Sequence, residues 1–227
     1  KDKLQQVRDT ARELSSQTIF SDAQMVDLTG SLLKSGVSFG NLAGASFGAA
    51  SLAQLGGITP ELAASQLGAL GNAFSFKSSA QFRNLSDQIS RVDDASAMNS
   101  GMLLYNAQQV AATAASHHIA PAEMFSALGY LDVLGGEAGT SLNRFIGNMA
   151  GATPQKQSAM KELGLNFWQN NADGSTTMKP LNESIELVRE TFKGMKDEKA
   201  RTALGHKLFG EEGERALRRD PPQAASP

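Results

Sequence analysis

The sequence predicts an all-α protein, a bundle of about ten short helices with one small β-hairpin near residues 165–180. Three observations lead to this class. Ala, Gly, Leu and Ser are abundant, whereas aromatic residues make up only 6% of the chain, and this composition favours thin, closely packed helices over a sheet. Apolar residues recur at helical spacing through most of the sequence. Capping residues, prolines and glycines interrupt that spacing as helix starts and stops do.

Start and stop signals divide the N-terminal half of the chain into predicted helices. Thr59-Pro60-Glu61 is a strong start, since it joins a capping hydroxyl, a proline at the first helical position and an acid in the first turn. Gly36 and the pair Gly56-Gly57 are the expected stops, because glycine accepts the left-handed conformation that ends a helix. The predicted helices cover about residues 3–16, 22–34, 39–55, 60–74, 79–92 and 100–117.

Residues 128–151 hold the most informative interruption. Apolar residues at helical spacing continue to Leu134 and stop at the pair Gly135-Gly136, and a second set at helical spacing runs from Leu142 through Met149. The residues between them are small, so the first turn of the new helix can press against a neighbouring backbone. We predict a tight helix-turn-helix here, with a small-residue contact surface that acts by packing, because the block contains no reactive constellation. Its candidate residues are Gly135, Gly136, Ala138, Gly139, Thr140 and Leu142.

The C-terminal third begins with a short helix from Thr153-Pro154 to Leu163, which Gly164 ends. The helical pattern then breaks, and Leu165, Phe167 and residues 177–178 are predicted to pair around residues 170–174, since Asp-Gly favours a hairpin turn. Three more helices are predicted at about residues 181–193, 197–209 and 213–219.

Charge and cysteine content exclude several kinds of function. The formal net charge is −2, so no global field favours DNA, RNA or anionic lipid. The chain has no Cys, which excludes disulfides, a thiolate nucleophile and Cys-ligated zinc. Because the chain begins with Lys inside an amphipathic pattern, we expect it to be a fragment of a longer protein.

Charge is also unevenly spread, which suggests a division of the chain. Only seven charged residues fall within residues 35–122, whereas residues 154–219 hold 22, half of the total, and look like an ordinary solvated surface. We expect residues 1–152 to form a charge-poor, Gly/Ala-rich helical region. We expect residues 153–219 to form a charged helical region with the hairpin, and residues 220–227 to be a disordered tail.

Gly40, Gly44 and Gly48 recur at every fourth position of the third predicted helix. On a helix they form one stripe without side chains, so another helix can approach closely. The same spacing is a dimerisation face in lipid, and the charge-free run 35–60 is long enough to span a bilayer. Its many Ser and Gly residues lower the hydrophobicity, which favours a helix packed tightly in a soluble bundle. A segment that enters a membrane in another state is the alternative.

Searches for reactive constellations give negative results, so we predict no catalytic residue, no cofactor and no metal. Adjacent His117 and His118 would point roughly 100° apart on a helix, which does not suit chelation of one ion. We expect them at a helix C-terminus, where positive charge is favourable. The stretch 171–174 resembles the start of a calcium loop, but Pro180 stands where a bidentate Glu is required. Glu183 could suggest a lytic transglycosylase, although it lies on an ordinary amphipathic helix.

Four blocks of residues follow one another along the chain. The first block is a small-residue helix at 100–115 followed by 117–123 (HHIAPAE), and the second is 128–142, which contains GEAGTSL. The third block is 160–165 (MKELGL) together with Asp173-Gly174 and Pro180-Leu181. The fourth is 206–210 (HKLFG) with Ala216-Leu217. In this order they resemble the conserved core region of phage tail tape measure proteins. The resemblance covers about residues 21–217. The chain departs from the family's pattern at two places. Ser141 stands where the family usually has Ala, and the stretch 169–177 between the two halves of the third block is somewhat longer than in the family.

The resemblance implies a structural role in the virion tail lumen, and in the host cytoplasm before assembly. Such proteins are long, mostly helical and extended inside the tail tube, and their length sets how many tube rings assemble. The implied partners are other copies of the chain, the tail tube, the tail tip or baseplate, tail chaperone proteins and, on ejection, the host inner membrane. No specific nucleic acid is implied. The fourth block adds Phe209 and Gly210 to the assembly candidates.

Two alternatives remain at this point. One is a cell-wall hydrolase domain carried on a tail protein, which would need Glu183 in a cleft. The other is a membrane-active, channel-forming module that uses residues 39–55. Peptidoglycan cleavage and liposome leakage distinguish these alternatives from a structural tail protein.

Overall fold

The computed structural model describes residues 3–151 and 153–217. Within them it contains eleven α-helices, two 3-10 turns and one two-stranded antiparallel hairpin, which confirms the predicted all-α class with its β-hairpin insertion. The helices are α1 Lys3–Ser15, α2 Asp22–Lys34, α3 Leu42–Gly56, α4 Pro60–Ala73, α5 Ser79–Ala95, α6 Ser100–Ser116, α7 Pro121–Tyr130, α8 Ala138–Ala150, α9 Pro154–Glu162, α10 Leu181–Gly194 and α11 Glu198–Leu217. The strands are β1 Trp168–Asn170 and β2 Thr176–Met178, and the 3-10 turns are Phe39–Asn41 and Asp132–Glu137.

Local capping explains why several helices begin where the sequence predicts. The Ser21 hydroxyl accepts the backbone N–H of Gln24 at 3.3 Å, and the Gln24 side chain accepts the N–H of Ser21 at 3.0 Å. This reciprocal pair is a capping box and starts α2. Thr59 caps α4 by accepting the N–H of Leu62 at 3.3 Å, and Pro60 occupies the first helical position.

Two helix boundaries differ from the prediction. The third helix begins at Leu42 rather than near residue 39, because residues 39–41 form a 3-10 turn. The helix predicted to reach Leu134 ends at Tyr130 and passes into the second 3-10 turn. The carboxylate of Asp132 accepts the N–H of Ala97 at 3.0 Å, so this turn is held against the loop between α5 and α6.

The C-terminal end of the described residues agrees with the predicted separation of two helices. The sequence predicts two helices separated near residues 210–212. The structure has a non-helical break inside α11 at Gly210, where φ is 78° and ψ is 176°, so the separation lies where the sequence predicts it. Glycine is the residue that accepts this conformation without a Cβ clash. Residues 218 and 219, the predicted end of the last helix, and the predicted tail 220–227 lie outside the described residues.

Buried apolar side chains from most of the helices form one connected core. Helix α3 contacts α4, α5 and α6, and α6 contacts α8. Three fully or nearly fully buried residues of α10, Leu181, Val188 and Phe192, belong to the same core cluster as the N-terminal helices. The division of the chain at residue 152 stays a prediction.

The first strand of the β-hairpin begins at Trp168, one residue after Phe167, which the sequence analysis placed in that strand. Trp168 lies opposite Met178, and Asn170 lies opposite Thr176. Phe167 precedes β1 and is buried, with its ring edge-on to Phe145 at a centroid distance of 6.0 Å. Burial of Phe167 in the core therefore sets where the exposed ribbon can begin.

The hairpin turn gives a pH-dependent prediction. Both the hydroxyl and the backbone N–H of Ser175 donate to Asp173, at 2.6 and 2.9 Å, and these hydrogen bonds lower the pKa of Asp173 below its usual value of 3.8. The turn is therefore stabilised above the unfolded-state pKa, and this contribution is lost as the pH falls through the lowered folded-state pKa. Carboxyl NMR should give a titration midpoint for Asp173 below 3.8. Replacement of Ser175 with Ala should raise that midpoint, and an unchanged midpoint would contradict this account.

Candidate functional site: the junction of α6 and α8

The candidate residues of the helix-turn-helix lie where α8 begins and crosses α6. Ala138 and Leu142 are fully buried there. Thr140 is exposed, and its hydroxyl donates to the side-chain oxygen of Gln109 on α6 at 3.1 Å. The small residues at the start of α8 therefore face another helix of the same chain.

Gly139 makes the closest approach in this junction. A Cβ atom built on Gly139 would lie only 2.8 Å from the carbonyl carbon of Asn106 and 2.9 Å from its Cα. These are backbone atoms in the middle of α6, so they cannot move aside as a flexible side chain can. The backbones of α6 and α8 are consequently in direct contact, which only glycine at position 139 permits.

Hydrogen bonds from the side chain of Asn106 stabilise the same junction. This side chain is fully buried, and its Oδ1 accepts the N–H of Gly139 at 2.7 Å. Its Nδ2 donates to the carbonyl of Met102 at 2.9 Å and to that of Gly135 at 3.0 Å. The N–H of Gly139 lies in the first turn of α8, where backbone N–H groups have no acceptor within their own helix. The side chain of Asn106 on α6 provides that acceptor. The side chain of Glu137, at the N-cap position, makes no capping hydrogen bond.

Sequence reasoning missed Asn106. The available signal was a lone amide on an otherwise apolar helix face, next to Leu103, Leu104 and Val110, all fully buried. A polar side chain in such a position needs hydrogen-bond partners. The sequence alone could not indicate that those partners lie about thirty residues further along, in the turn before α8.

Removal of this amide should be costly. In Asn106→Ala, the buried N–H of Gly139 loses its partner and the carbonyl of Gly135 keeps only the N–H of Ala138, so we expect the free energy of unfolding to fall by about 2 kcal/mol. Urea denaturation followed by circular dichroism measures this loss. Gln109→Ala is the control, since Gln109 lies on the same helix but is exposed and bonds the exposed Thr140. A loss in the control as large as that of Asn106→Ala would contradict the assignment.

The glycine stripe of α3 has two close contacts rather than three. A Cβ on Gly44 would lie 2.5 Å from the carbonyl oxygen of Ser79, and one on Gly48 would overlap the hydroxyl of Ser86, so α3 and α5 are closely packed. Gly40 lies in the 3-10 turn before α3, and a Cβ there would meet no atom within 4 Å. Gly40 instead accepts a hydrogen bond from the Ser79 hydroxyl through its carbonyl at 3.1 Å.

The remaining candidates have different surroundings. Gly135 has a φ of 52° and a ψ of −123°, which turns the chain, while a Cβ on it would meet nothing within 4 Å. A Cβ on Gly136 would make only an ordinary contact with Tyr105, at 3.9 Å. A Cβ on Gly210 would overlap the flexible side chain of Arg144. The side chain of Phe209 lies outside the described part of the structure.

The residues considered for chemistry lie apart from this junction. His117 is the C-cap of α6, and His118 follows it with a φ of 59°. Glu183 is exposed in the first turn of α10. Within the described ranges, no group of three His, Asp or Glu residues could hold a metal ion. No helix in those ranges is both long and apolar enough to cross a membrane.

Comparison with known proteins identifies one family. The sequence model of one family, described as phage-related minor tail protein, matches residues 8–210. No curated protein and no solved structure matches the chain. The matched span contains α2 to α10 in full, including the junction of α6 and α8. The chain therefore belongs to the phage-related minor tail protein family and has a structural role in the phage tail.

Proposed function

We propose that this chain is the folded core of a tape measure protein, which acts in tail assembly and in setting tail length. The observation that carries the proposal is the order of the four blocks that resemble tape measure cores. The second block supplies the turn and first residues of α8, which make the backbone contact with α6. The family match over residues 8–210 supports the same assignment at a coarser level.

In this proposal the chain contributes a compact, closely packed unit, while a helical spacer elsewhere in the full protein sets the length. Backbone contacts at Gly44 and Gly139 and the close approach at Gly48 support the first part, because they fix helix positions with little room for rearrangement. The core then serves as an assembly point. Its partners are further copies of the chain and the tube, tip and chaperone proteins of the tail.

The formal charge of −2 is consistent with a position in a tube through which DNA must also pass. A strongly basic surface would hold the phosphate backbone by counterion release. A near-neutral protein lacks that general affinity, so it can precede the genome without retaining it. The proposed role therefore includes a second stage: once the tail has been assembled, the protein leaves the tube ahead of the genome and helps to deliver it.

Deletions in the complete protein test the proposal. An in-frame deletion in the helical spacer should give shorter tails of normal appearance, because the ruler is shorter while the core still assembles. A deletion that removes α6 to α8 should instead block tail assembly, because the packed core is lost. Electron microscopy of the particles distinguishes the two classes. Normal tail length after spacer deletion, or normal tails without α6 to α8, would contradict the proposed function.

A further inference from the structure

We propose that the outer edge of β1 and the groove beside it bind an extended segment of a partner protein that carries a large apolar residue and a carboxylate. Two independent features meet at this place. One is an apolar groove of about 490 Å³ at the ends of α8 and α9. The other is the edge of β1 that β2 does not cover. Neither feature is used by the junction of α6 and α8.

The groove is lined by side chains that suit an apolar residue. Met149 and Met160 are nearly fully buried in its walls, and Phe167 lies beside them, also buried. Methionine side chains adapt their shape to an incoming group and make favourable contacts with aromatic rings. Trp168, the only Trp of the chain, borders the groove and remains 40% exposed. The volume is large enough for the side chain of a Leu, Met or Phe.

The hydrogen-bond pattern of the hairpin shows which backbone groups are directed away from β2. Phe167 accepts the N–H of Lys179 at 2.8 Å, and Asn171 donates to the carbonyl of Ser175 at 2.8 Å. Inward and outward groups alternate along an antiparallel strand, so the backbone groups of Trp168 and Asn170 are directed outward. The Trp168 N–H is taken by the Asn166 side chain at 3.0 Å.

This leaves the carbonyl of Trp168 and both backbone groups of Asn170 directed outward at the strand edge. An extended backbone can pair with such groups in sequence, and strand addition is a common way for proteins to recognise extended peptides. Lys161 is the one charged residue among the described groove-lining residues. A carboxylate on the bound segment would complement it, and alternate residues of a strand lie on one face, so the acid and the apolar residue should be two positions apart.

The single Trp allows a direct binding measurement with the intact chain. The probe is an acetylated peptide amide of sequence Thr-Thr-Leu-Thr-Glu-Thr-Thr, titrated against Trp168 fluorescence. A matched control peptide carries N-methyl groups at alternate backbone positions, which removes strand pairing but keeps every side chain. We expect the parent peptide to shift the emission, and the N-methylated peptide to bind at least about tenfold more weakly. Equal binding of both peptides, or no binding of either, would overturn the proposal.

Two variants of the protein separate the groove from the strand edge. Lys161→Glu should weaken binding of the parent peptide by about fivefold or more and should strengthen binding when Lys replaces Glu in the peptide. Ala150→Phe should fill the groove and abolish discrimination between the parent peptide and one with Ser in place of Leu. Circular dichroism verifies that both variants fold. If sedimentation shows that the protein alone dimerises and the peptide dissociates the dimer, a second copy occupies the site and the partner segment is wrong.

Discussion

Gly139→Ala should lower the free energy of unfolding by about 2 kcal/mol, although it adds a single methyl group to a helix. The added Cβ would lie 2.8 and 2.9 Å from backbone atoms of Asn106, so α6 and α8 must separate to accept it. Separation would also lengthen the 2.7 Å hydrogen bond between the Gly139 N–H and the Asn106 side chain. For a chain of this size, thermal unfolding should show a midpoint lower by roughly 5 °C.

The same substitution at Gly147 is the matched control, because both glycines lie on α8. A Cβ on Gly147 would meet nothing within 4 Å, and the position is exposed. Replacement of glycine by alanine at an exposed helical position should stabilise the protein by about 0.5–1 kcal/mol. The two variants should therefore shift the unfolding midpoint in opposite directions. A shift of the same sign and size in both would show that the α6–α8 contact is not as close as described.

Arg189→Ala should cause the second large loss of stability, about 3 kcal/mol. Arg189 is the largest fully buried side chain of α10, with 1% exposure. Its guanidinium lies 5.1 Å from the centre of the Tyr130 ring, donates to the Tyr130 hydroxyl and lies 3.4 Å from the carboxylate of Glu186. Truncation to Ala would leave a cavity between α10 and α7 and remove the contact with the ring.

Arg189→Met separates packing from charge. Methionine keeps most of the side-chain volume, and the ion-pair partner Glu186 is 52% exposed, so no carboxylate would be left buried without a cation. Replacement of a buried ion by an apolar residue of similar volume is often nearly neutral. We expect Arg189→Met to have a free energy of unfolding within about 1 kcal/mol of the wild type. If it were as unstable as Arg189→Ala in urea denaturation, the charge rather than the packing would hold α10 in place.

The starts of helices could be predicted because their causes are local. The Ser21 and Gln24 pair and the Thr59 cap each join residues three positions apart, so the sequence contains both partners side by side. The hairpin could be predicted for the same reason, from the Asp-Gly turn. Its register could not, because burial of Phe167 against Phe145, a residue of α8, decides where pairing begins.

The features that fix the candidate site depend on partners distant in sequence. Asn106 and Asp132 each bond backbone groups about thirty or more residues away, and these bonds hold the turn between α7 and α8 in place. The charged C-terminal third suggested a solvated surface, yet Arg189 is buried beneath Tyr130 of α7. The small residues of the helix-turn-helix indicate a close contact with another helix. Only the structure shows that Gly139 contacts the backbone of Asn106 on α6.

The tape measure assignment has one direct test, the dependence of tail length on spacer length in the complete protein. A series of in-frame spacer deletions of increasing size, with residues 1–227 intact, should give tails that shorten linearly, by about 1.5 Å for each deleted residue if the spacer is helical. Electron microscopy of the particles gives the slope. A linear decrease is the predicted result, and tails of constant length across the series would contradict the account.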